Sequence, residues 1–377
     1  MNFVTIANEE KARVGEITLS HGLIQTPVFM PVGTYGGVKG LNSGELEGLG
    51  AQIILGNTFH LWLRPGIEII SSQSGLHNFI NWNKPILTDS GGFQVWSLKG
   101  LTKVKEEGVF FKSPLNGDNL FLSPEKSMEI QAKLNSDIVM VFDECTDWPV
   151  DELSAEKSMQ LSLRWARRCK DSFNSSNNLF GIVQGSMFEN LRIESIEGLK
   201  EIGFDGYSIG GLSVGEEKDD MQRVLTSSIK HLPENKPRYL MGVGTPEDLV
   251  FAISEGVDMF DCVLPTRNAR NGFIFTQFGD LRIRNHRFAN DFRPIDDSCL
   301  CPTCCPENHG EKRPHYSRSY IHHLQKINEM QGAILATKHN LWFYLNMMKQ
   351  IRESIIKKQF SSWKSNFFSK RTGRSKC

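Results

Sequence analysis

Met259-Phe260-Asp261-Cys262-Val263-Leu264-Pro265-Thr266-Arg267-Asn268-Ala269-Arg270-Asn271-Gly272 opens as a short apolar run, carries a carboxylate, breaks at Pro265 and then delivers two arginines three residues apart. Apolar-then-acid reads as a β-strand with a carboxylate at its tip. A guanidinium is a planar fork of donors, so Arg267 and Arg270 in a turn suit phosphate oxygens or nucleobase edges. A nucleophile beside an anion clamp points to attack on a nucleic acid. The plainer reading of this segment alone is a loop-capping aspartate with two solvated arginines.

Working outward, the same pattern of apolar, β-branched runs recurs. Candidate strands are Thr26–Val32, Ile53–Asn57, Ile86–Asp89, Ile138–Asp143, Phe180–Gln184, Gly206–Gly211, Arg238–Val243 and Met259–Val263. Helical stretches fall between most of them: Ser43–Ala51, Pro124–Ser136, Asp151–Phe173, Phe188–Gly203, Glu217–Leu232 and Pro246–Val257. Ser123-Pro124-Glu125 and Thr245-Pro246-Glu247 are helix-start signals. Strand–helix alternation implies a parallel sheet, and eight repeats imply an α/β fold closed as a (β/α)8 barrel. The rival, a doubly wound open sheet, lacks the Gly-x-Gly-x-x-Gly expected after its first strand. Leu98–Leu122 fits no barrel strand; its Phe110-Phe111-Lys112 and Asn119-Leu120-Phe121 runs predict an inserted hairpin. Phe3–Ser20 reads as a strand pair closing the barrel floor.

The strand tips carry the chemistry. They end in Asn57, Asp89, Asp143, Gln184, Gly210-Gly211 and, in the eighth, Asp261. In such barrels these ends share one mouth, where reactive groups converge. Leu87-Thr88-Asp89-Ser90-Gly91-Gly92-Phe93-Gln94-Val95 follows its acid with a glycine pair, which lets backbone N–H groups approach a ligand, and with Phe93, which can stack on a flat base. The alternative is a tight turn capped by Asp89. The Asp143 carboxylate can accept two hydrogen bonds, and the Gln184 amide can both donate and accept; a core amide satisfied by backbone is the plainer reading of Gln184.

Composition bounds the class. A chain of 377 residues with 39% hydrophobic and 23% charged residues is that of a soluble globular protein. No run approaches the roughly 20 apolar residues that span a bilayer, and Met1–Gly15 lacks an apolar signal core, so a cytoplasmic protein is expected. Net charge is zero, but residues 261–377 carry +11 and residues 1–260 carry −11. A basic final third on an acidic body is a candidate polyanion-binding face. Cysteines cluster at Cys299, Cys301, Cys304 and Cys305; in a cytosolic chain this argues for metal rather than disulfides. Cys299-x-Cys301-x-x-Cys304 has close zinc-ligand spacing, and a fourth ligand is open among Cys305, His309, His315 and the downstream His339.

Taken together, these motifs resemble the bacterial tRNA-guanine transglycosylases of the queuine tRNA-ribosyltransferase family. The segment around Asp261 matches the family's nucleophile motif, and Asp-Ser-Gly-Gly-Phe-Gln at 89–94 matches its general acid/base motif. The resemblance runs from Pro27-Val28-Phe29-Met30-Pro31-Val32 to His339. It implies that Asp261 attacks the anomeric carbon of the wobble ribose, that Asp89 is the general acid/base and that Phe93 is an aromatic lid. It places the base on Asp143, Cys145, Gln184, Gly211, Leu212, Val214 and Met241, and the flanking RNA on Arg267 and Arg270. It also implies a structural Zn2+ held by Cys299, Cys301, Cys304 and His339. Val214 and Cys145 resemble the bacterial form, which takes 7-aminomethyl-7-deazaguanine; the eukaryotic form has smaller residues there and takes queuine. The implied partners are a tRNA anticodon loop and a second copy of the chain, with no membrane. The sequence departs from the family between Cys304 and Ser317-Arg318-Ser319-Tyr320, where residues 305–316 stand in place of a few.

The expected organisation is a catalytic barrel over 1–275, a zinc-binding subdomain with C-terminal helices over 276–360, and a disordered basic tail over 361–377. In the run from Tyr320 to Phe360, Leu341, Tyr344, Leu345 and Met348 share a helical face expected to pack as core. Two other classes stay in view. A barrel metallohydrolase would need a His-x-His pair, which His21, His60 and His77 do not form. A non-catalytic tRNA-binding paralogue would lack the acid pair Asp89 and Asp261.

Overall fold

The computed structural model describes residues 1–98, 102–312 and 314–372. Its centre is a parallel barrel of Val28–Met30 with Val32–Gly33, Ile54–Gly56, Ile86–Thr88, Ile138–Met140, Asn178–Val183, Gly206–Ile209, Arg238–Leu240 and Met259–Asp261. Closure depends on the first of these. Val28–Met30 pairs with Met259–Asp261, and Val32–Gly33 pairs with Ile54–Gly56. Pro31 lies between and has no N–H to donate, which interrupts the ladder; its carbonyl still accepts from Leu55 N at 3.0 Å. One interrupted strand thus joins both ends of the sheet. Every strand is buried along almost its whole length, as a barrel covered by helices requires.

The expected helices are present. Ser123 caps Pro124–Leu134 through Lys126 N, Asp151 caps Glu152–Ser172, and Thr245 and Asp248 form a reciprocal capping box at Pro246–Ser254. Each cap satisfies donors that the first helical turn leaves without partners.

The floor holds three strands, not the expected pair: Asn2–Glu9, Ala12–Leu19 and Gly22–Thr26. The third was hidden because Thr26 and Pro27 run straight on into the first barrel strand. Arg13 ties this sheet to the eighth strand's entry by a buried 2.6 Å pair with Asp258. His21 and His77 stack with ring centroids 3.6 Å apart and both reach Asp137 at the entry of the fourth strand. Asp137 also accepts from the backbone N–H groups of His21 and Ile86, so its carboxylate is saturated by protein donors. This group lies at the end of the barrel opposite the strand tips.

The inserted hairpin is likewise a three-stranded antiparallel sheet, Thr102–Lys105, Gly108–Lys112 and Asn119–Leu122. Phe111 packs its inner face against Phe59 and Trp62. Trp165 and Arg168 donate to the Glu106 carbonyl at its first turn.

Beyond the barrel come a hairpin, Phe273–Thr276 with Gly279–Arg282, and the helices Arg318–Lys326, Met330–Ile356 and Phe360–Thr372. The first strand of that hairpin crosses the expected boundary at 275. A small core of its own, including Ile274, Ile283, Ile295, Ile321 and Leu335, holds this region together. Leu341, Tyr344, Leu345 and Met348 are buried against the barrel, with the Tyr344 ring 4.9 Å from Phe29. The expected disordered tail is corrected for residues 361–372, which belong to a docked helix. Phe360, Trp363 and Phe367 recur at helical spacing, and Phe360 and Phe367 are buried. Phe360 N and Ser361 N donate to the Glu9 carboxylate, and the buried Arg371 pairs with Asp280 and Glu247. Residues 373–377 lie outside the described residues. No helix among the described residues is long and apolar enough to cross a membrane.

Candidate active site

The strand tips open into a cavity of about 500 Å³. Asp89, Asp143 and Asp261, which follow or end the third, fourth and eighth strands, all line it. So do Phe93, Cys145, Gln184, Gly211, Leu212, Val214, Met241 and Arg267. Arg270 does not line it. It is exposed one turn further along the short helix Leu264–Arg270. Phe93 stands 50% exposed at the mouth, its ring 5.0 Å from that of Trp96.

The three acids are held differently. Asp89 Oδ1 accepts from Thr58 N at 2.8 Å, and Oδ2 accepts from the Asn57 amide at 2.6 Å. Burial pushes its carboxyl up to about 7; the charges of Asp261 and Asp143 add to the rise, against hydrogen bonds that lower it. An acid poised near neutrality can both give and take a proton. Asp143 accepts from Ser90 Oγ at 3.0 Å and from Gln184 Nε2 at 2.7 Å, while burial raises its carboxyl too. Gly92 makes this packing feasible, since a Cβ there would stand 2.6 Å from the Asp143 carbonyl oxygen. Asp261 Oδ1 takes both the Tyr239 hydroxyl at 2.6 Å and Gly242 N at 2.7 Å. No other described residue donates to Oδ2. Burial raises this carboxyl as well, and the two donors lower it.

The wall adjoining Asp143 is braced from behind by Arg192. Its guanidinium is fully buried and donates to the carbonyls of Val183, Ser186, Gly210 and Gly211. Burial without a carboxylate partner lowers it to about 10. These bonds pin the Gln184 and Gly211 turns side by side. Gly211 has φ +63°, and a Cβ there would meet Gln184 Oε1 at 2.5 Å, so glycine is required. Gln184 is buried, as a core amide would be, but its amide donates to Asp143 rather than to backbone. Beside it, Glu216 accepts from Ser213 N and from Val214 N and so folds the turn that brings Val214 to the cavity. The Cys145 thiol is buried and pushed up to about 12, which keeps it neutral.

Sequence reasoning passed over Tyr239, Thr58, Ser90, Gly242 and Arg192. Ser90 lies inside the quoted acid motif, and Asn57 reads from sequence as a polar tip with no evident partner. Tyr239 sits in an apolar strand and reads as core. Arg192 reads as a charge on a solvated helix face.

Away from the cavity, Cys299, Cys301, Cys304 and His339 present ligand atoms within 4.8 Å of one another. His339 Nδ1 lies 3.7, 3.4 and 3.3 Å from the three sulfurs. A tetrahedral zinc with ordinary Zn–S and Zn–N bonds would hold N and S roughly 3.5 Å apart, so the set fits. His339 Nε2 reaches the Phe275 carbonyl at 2.8 Å, the outer bond that fixes a ligating ring. The competing histidines are taken up elsewhere: His309 by the Leu300 carbonyl and His315 by the Phe292 carbonyl.

The family model described as Queuine tRNA-ribosyltransferase matches residues 8–373. A relative of that name from Nitrosomonas eutropha is 58% identical over 97% of this chain and 99% of its own. Others from Janthinobacterium sp. and Dechloromonas aromatica are 57% and 56% identical, covering 98% and 97% of this chain and 99% and 98% of theirs. With end-to-end likeness added to a barrel whose strand tips gather three acids, the chain belongs to the queuine tRNA-ribosyltransferase family.

Proposed function

We propose that this protein is a tRNA-guanine transglycosylase of the bacterial type. It exchanges the wobble guanine of GUN-anticodon tRNAs, those for Asp, Asn, His and Tyr, for 7-aminomethyl-7-deazaguanine, a step in queuosine biosynthesis. The observation that carries this reading is the pairing of a near-neutral Asp89 with Asp261 across one cavity.

The reaction is two displacements at one carbon. Asp261, through the oxygen that Tyr239 and Gly242 leave free, attacks the anomeric carbon of the wobble ribose. The glycosidic C–N bond breaks, and Asp89 protonates the departing guanine. A glycosyl–Asp261 ester results, as in retaining glycosidases. The deazaguanine then gives its ring N–H proton to Asp89, bonds to the same carbon and expels Asp261. One C–N bond replaces another, so no energy source is consumed. The base must be flipped out of its stack to enter.

Asp143 and Gln184 read the purine edge, with Gly211, Leu212 and Met241 around it and Phe93 stacking over it. Arg267 and Arg270 hold the flanking nucleotides. Val214 beside Cys145 narrows the space at the 7-position, which favours the aminomethyl base over direct use of queuine. Cys299, Cys301, Cys304 and His339 hold a structural zinc that leaves no open position for substrate. The chain works in the cytoplasm as a homodimer.

Incubation with labelled guanine and a GUN tRNA tests the reading. Exchange into tRNA is expected, together with a denaturation-resistant protein–tRNA adduct that Asp261→Asn abolishes. Tight tRNA binding without exchange would point to the non-catalytic paralogue, and an adduct persisting in Asp261→Asn would remove Asp261 from its role.

A further inference from the structure

The inserted sheet turns one face away from the barrel. Phe110 and Phe121 are cross-strand partners on it, with ring centroids 4.4 Å apart, and they remain 41% and 38% exposed. Lys103 partners Phe110 from the other neighbouring strand, and Lys112 lies two residues along. Side chains alternate along a strand, so both lysines share the outward face. Lys105 is two residues from Lys103, and its Nζ stands 5.3 Å from the Phe110 ring centroid. All three lysines are exposed, and no carboxylate among the described residues pairs with them. The neighbouring acids Glu106 and Glu125 are taken up by Arg164 and Arg168 at 2.8 and 2.7 Å; Glu107 stays exposed in the turn.

Two apolar rings left in water amid unpaired cations match one kind of partner closely. An unpaired nucleotide offers a flat base for the ring and a phosphate for the lysine, whatever its sequence. The location fits as well. The helix Gly92–Ser97 carries Phe93 at the cavity mouth, and the first strand of this sheet begins at Thr102, close by in sequence. The five residue steps from Ser97 to Thr102 can span about 18 Å at most. RNA held at the mouth is therefore within reach of the sheet's first strand.

We propose that the Phe110–Phe121 face, with Lys103, Lys105 and Lys112, is a stacking surface for unpaired nucleotides of the RNA substrate, separate from the base cavity. The proposal rests on RNA being the substrate but not on the exchange chemistry. The test is fluorescence-anisotropy titration of the full chain with a single-stranded oligouridylate and, separately, with a GUN tRNA. Phe110→Ser with Phe121→Ser should weaken oligouridylate binding about tenfold or more, as the loss of base stacking predicts. Lys103→Glu with Lys112→Glu should lower affinity and flatten the dependence of log K on log salt by about 0.7 for each lysine removed. Thermal melting of these surface variants should match the parent. Unchanged affinity and salt dependence would overturn the proposal. So would a shift in oligomeric state by sedimentation with RNA affinity intact, which would make the face a contact between copies. Because binding is the readout, the result stands whether or not the parent exchanges guanine.

Discussion

The Tyr239 hydroxyl and Asp261 Oδ1 lie 2.6 Å apart, and this bond is made from the seventh barrel strand to the tip of the eighth. It does two things at once. It stabilises the ionised carboxylate that the proposed attack requires, and it occupies one oxygen, so that the other is left for that attack. Tyr239 itself stays protonated, since burial and the Asp261 charge hold its hydroxyl well above the ordinary range. Tyr239→Phe keeps the ring and removes only the donor. The Asp261 carboxyl should then rise, so the acidic limb of the exchange rate against pH should move to higher pH. Hydrogen bonds to charged groups contribute about 1.5–3 kcal/mol, so a loss of roughly ten- to hundredfold in kcat is expected, with KM for the base little changed. An acidic limb that stays in place would show that Tyr239 does not act on Asp261.

Asp89 gives a second titration. Its folded value of about 7 lies above the roughly 3.9 of an unfolded aspartate. Between those values the native state keeps a proton that the unfolded chain has lost. The stabilising contribution is thus full below about pH 4 and is lost as the pH rises to about 7. Asp89→Asn cannot titrate. Its melting temperature relative to the parent should therefore increase between pH 5 and pH 8, even as exchange is abolished. In the parent, exchange should decline above about pH 7, where Asp89 no longer carries the proton for the leaving guanine. A melting difference that is flat with pH would contradict a raised Asp89.

These predictions also mark what could be read from the sequence. Barrel strands were legible because short apolar runs end in polar tips, and the tips Asp89, Asp143 and Asp261 do line one cavity. The supporting residues were not. Tyr239 is an aromatic in an apolar strand, and only its hydroxyl's partner, 22 residues on, gives it a task. Arg192 finds four carbonyls instead of a carboxylate, so no acidic partner in the sequence betrays its burial. Gly22–Thr26 and Thr102–Lys105 are short strands with many polar positions, and they exist because a neighbouring strand offers a free edge. The helix Phe360–Thr372 was masked by its own lysines. Its order comes from Glu9, Glu247 and Asp280, residues far away along the chain.

The cysteine cluster predicts a metal dependence of stability rather than of chemistry. His339→Ala should release one zinc per chain by atomic absorption and lower the melting temperature by many degrees, because the cluster anchors the small core around Ile295 and Leu335. His322→Ala should keep the zinc, since His322 instead reaches the Ile283 carbonyl at 2.7 Å. His309→Ala and His315→Ala should keep it too. Full zinc content in His339→Ala would move the fourth ligand to the 305–316 segment.

Val214 offers the sharpest test of which base is used. It lines the same cavity as Cys145, on a turn whose Ser213 and Val214 N–H groups both donate to the Glu216 carboxylate. With the base seated as proposed, a turn held in this way cannot easily retreat from a bulky 7-substituent, so the side chain itself sets the limit. In a hydrophobic pocket one methylene changes discrimination by roughly ten- to two-hundredfold. The parent should thus prefer 7-aminomethyl-7-deazaguanine to queuine by at least about that factor in kcat/KM. Val214→Gly should narrow the ratio by about tenfold or more through faster use of queuine, with use of the smaller base nearly unchanged. Competition between the two labelled bases for one tRNA measures both quantities. If the parent already accepts queuine equally well, the width of the pocket at Val214 is not what selects the base.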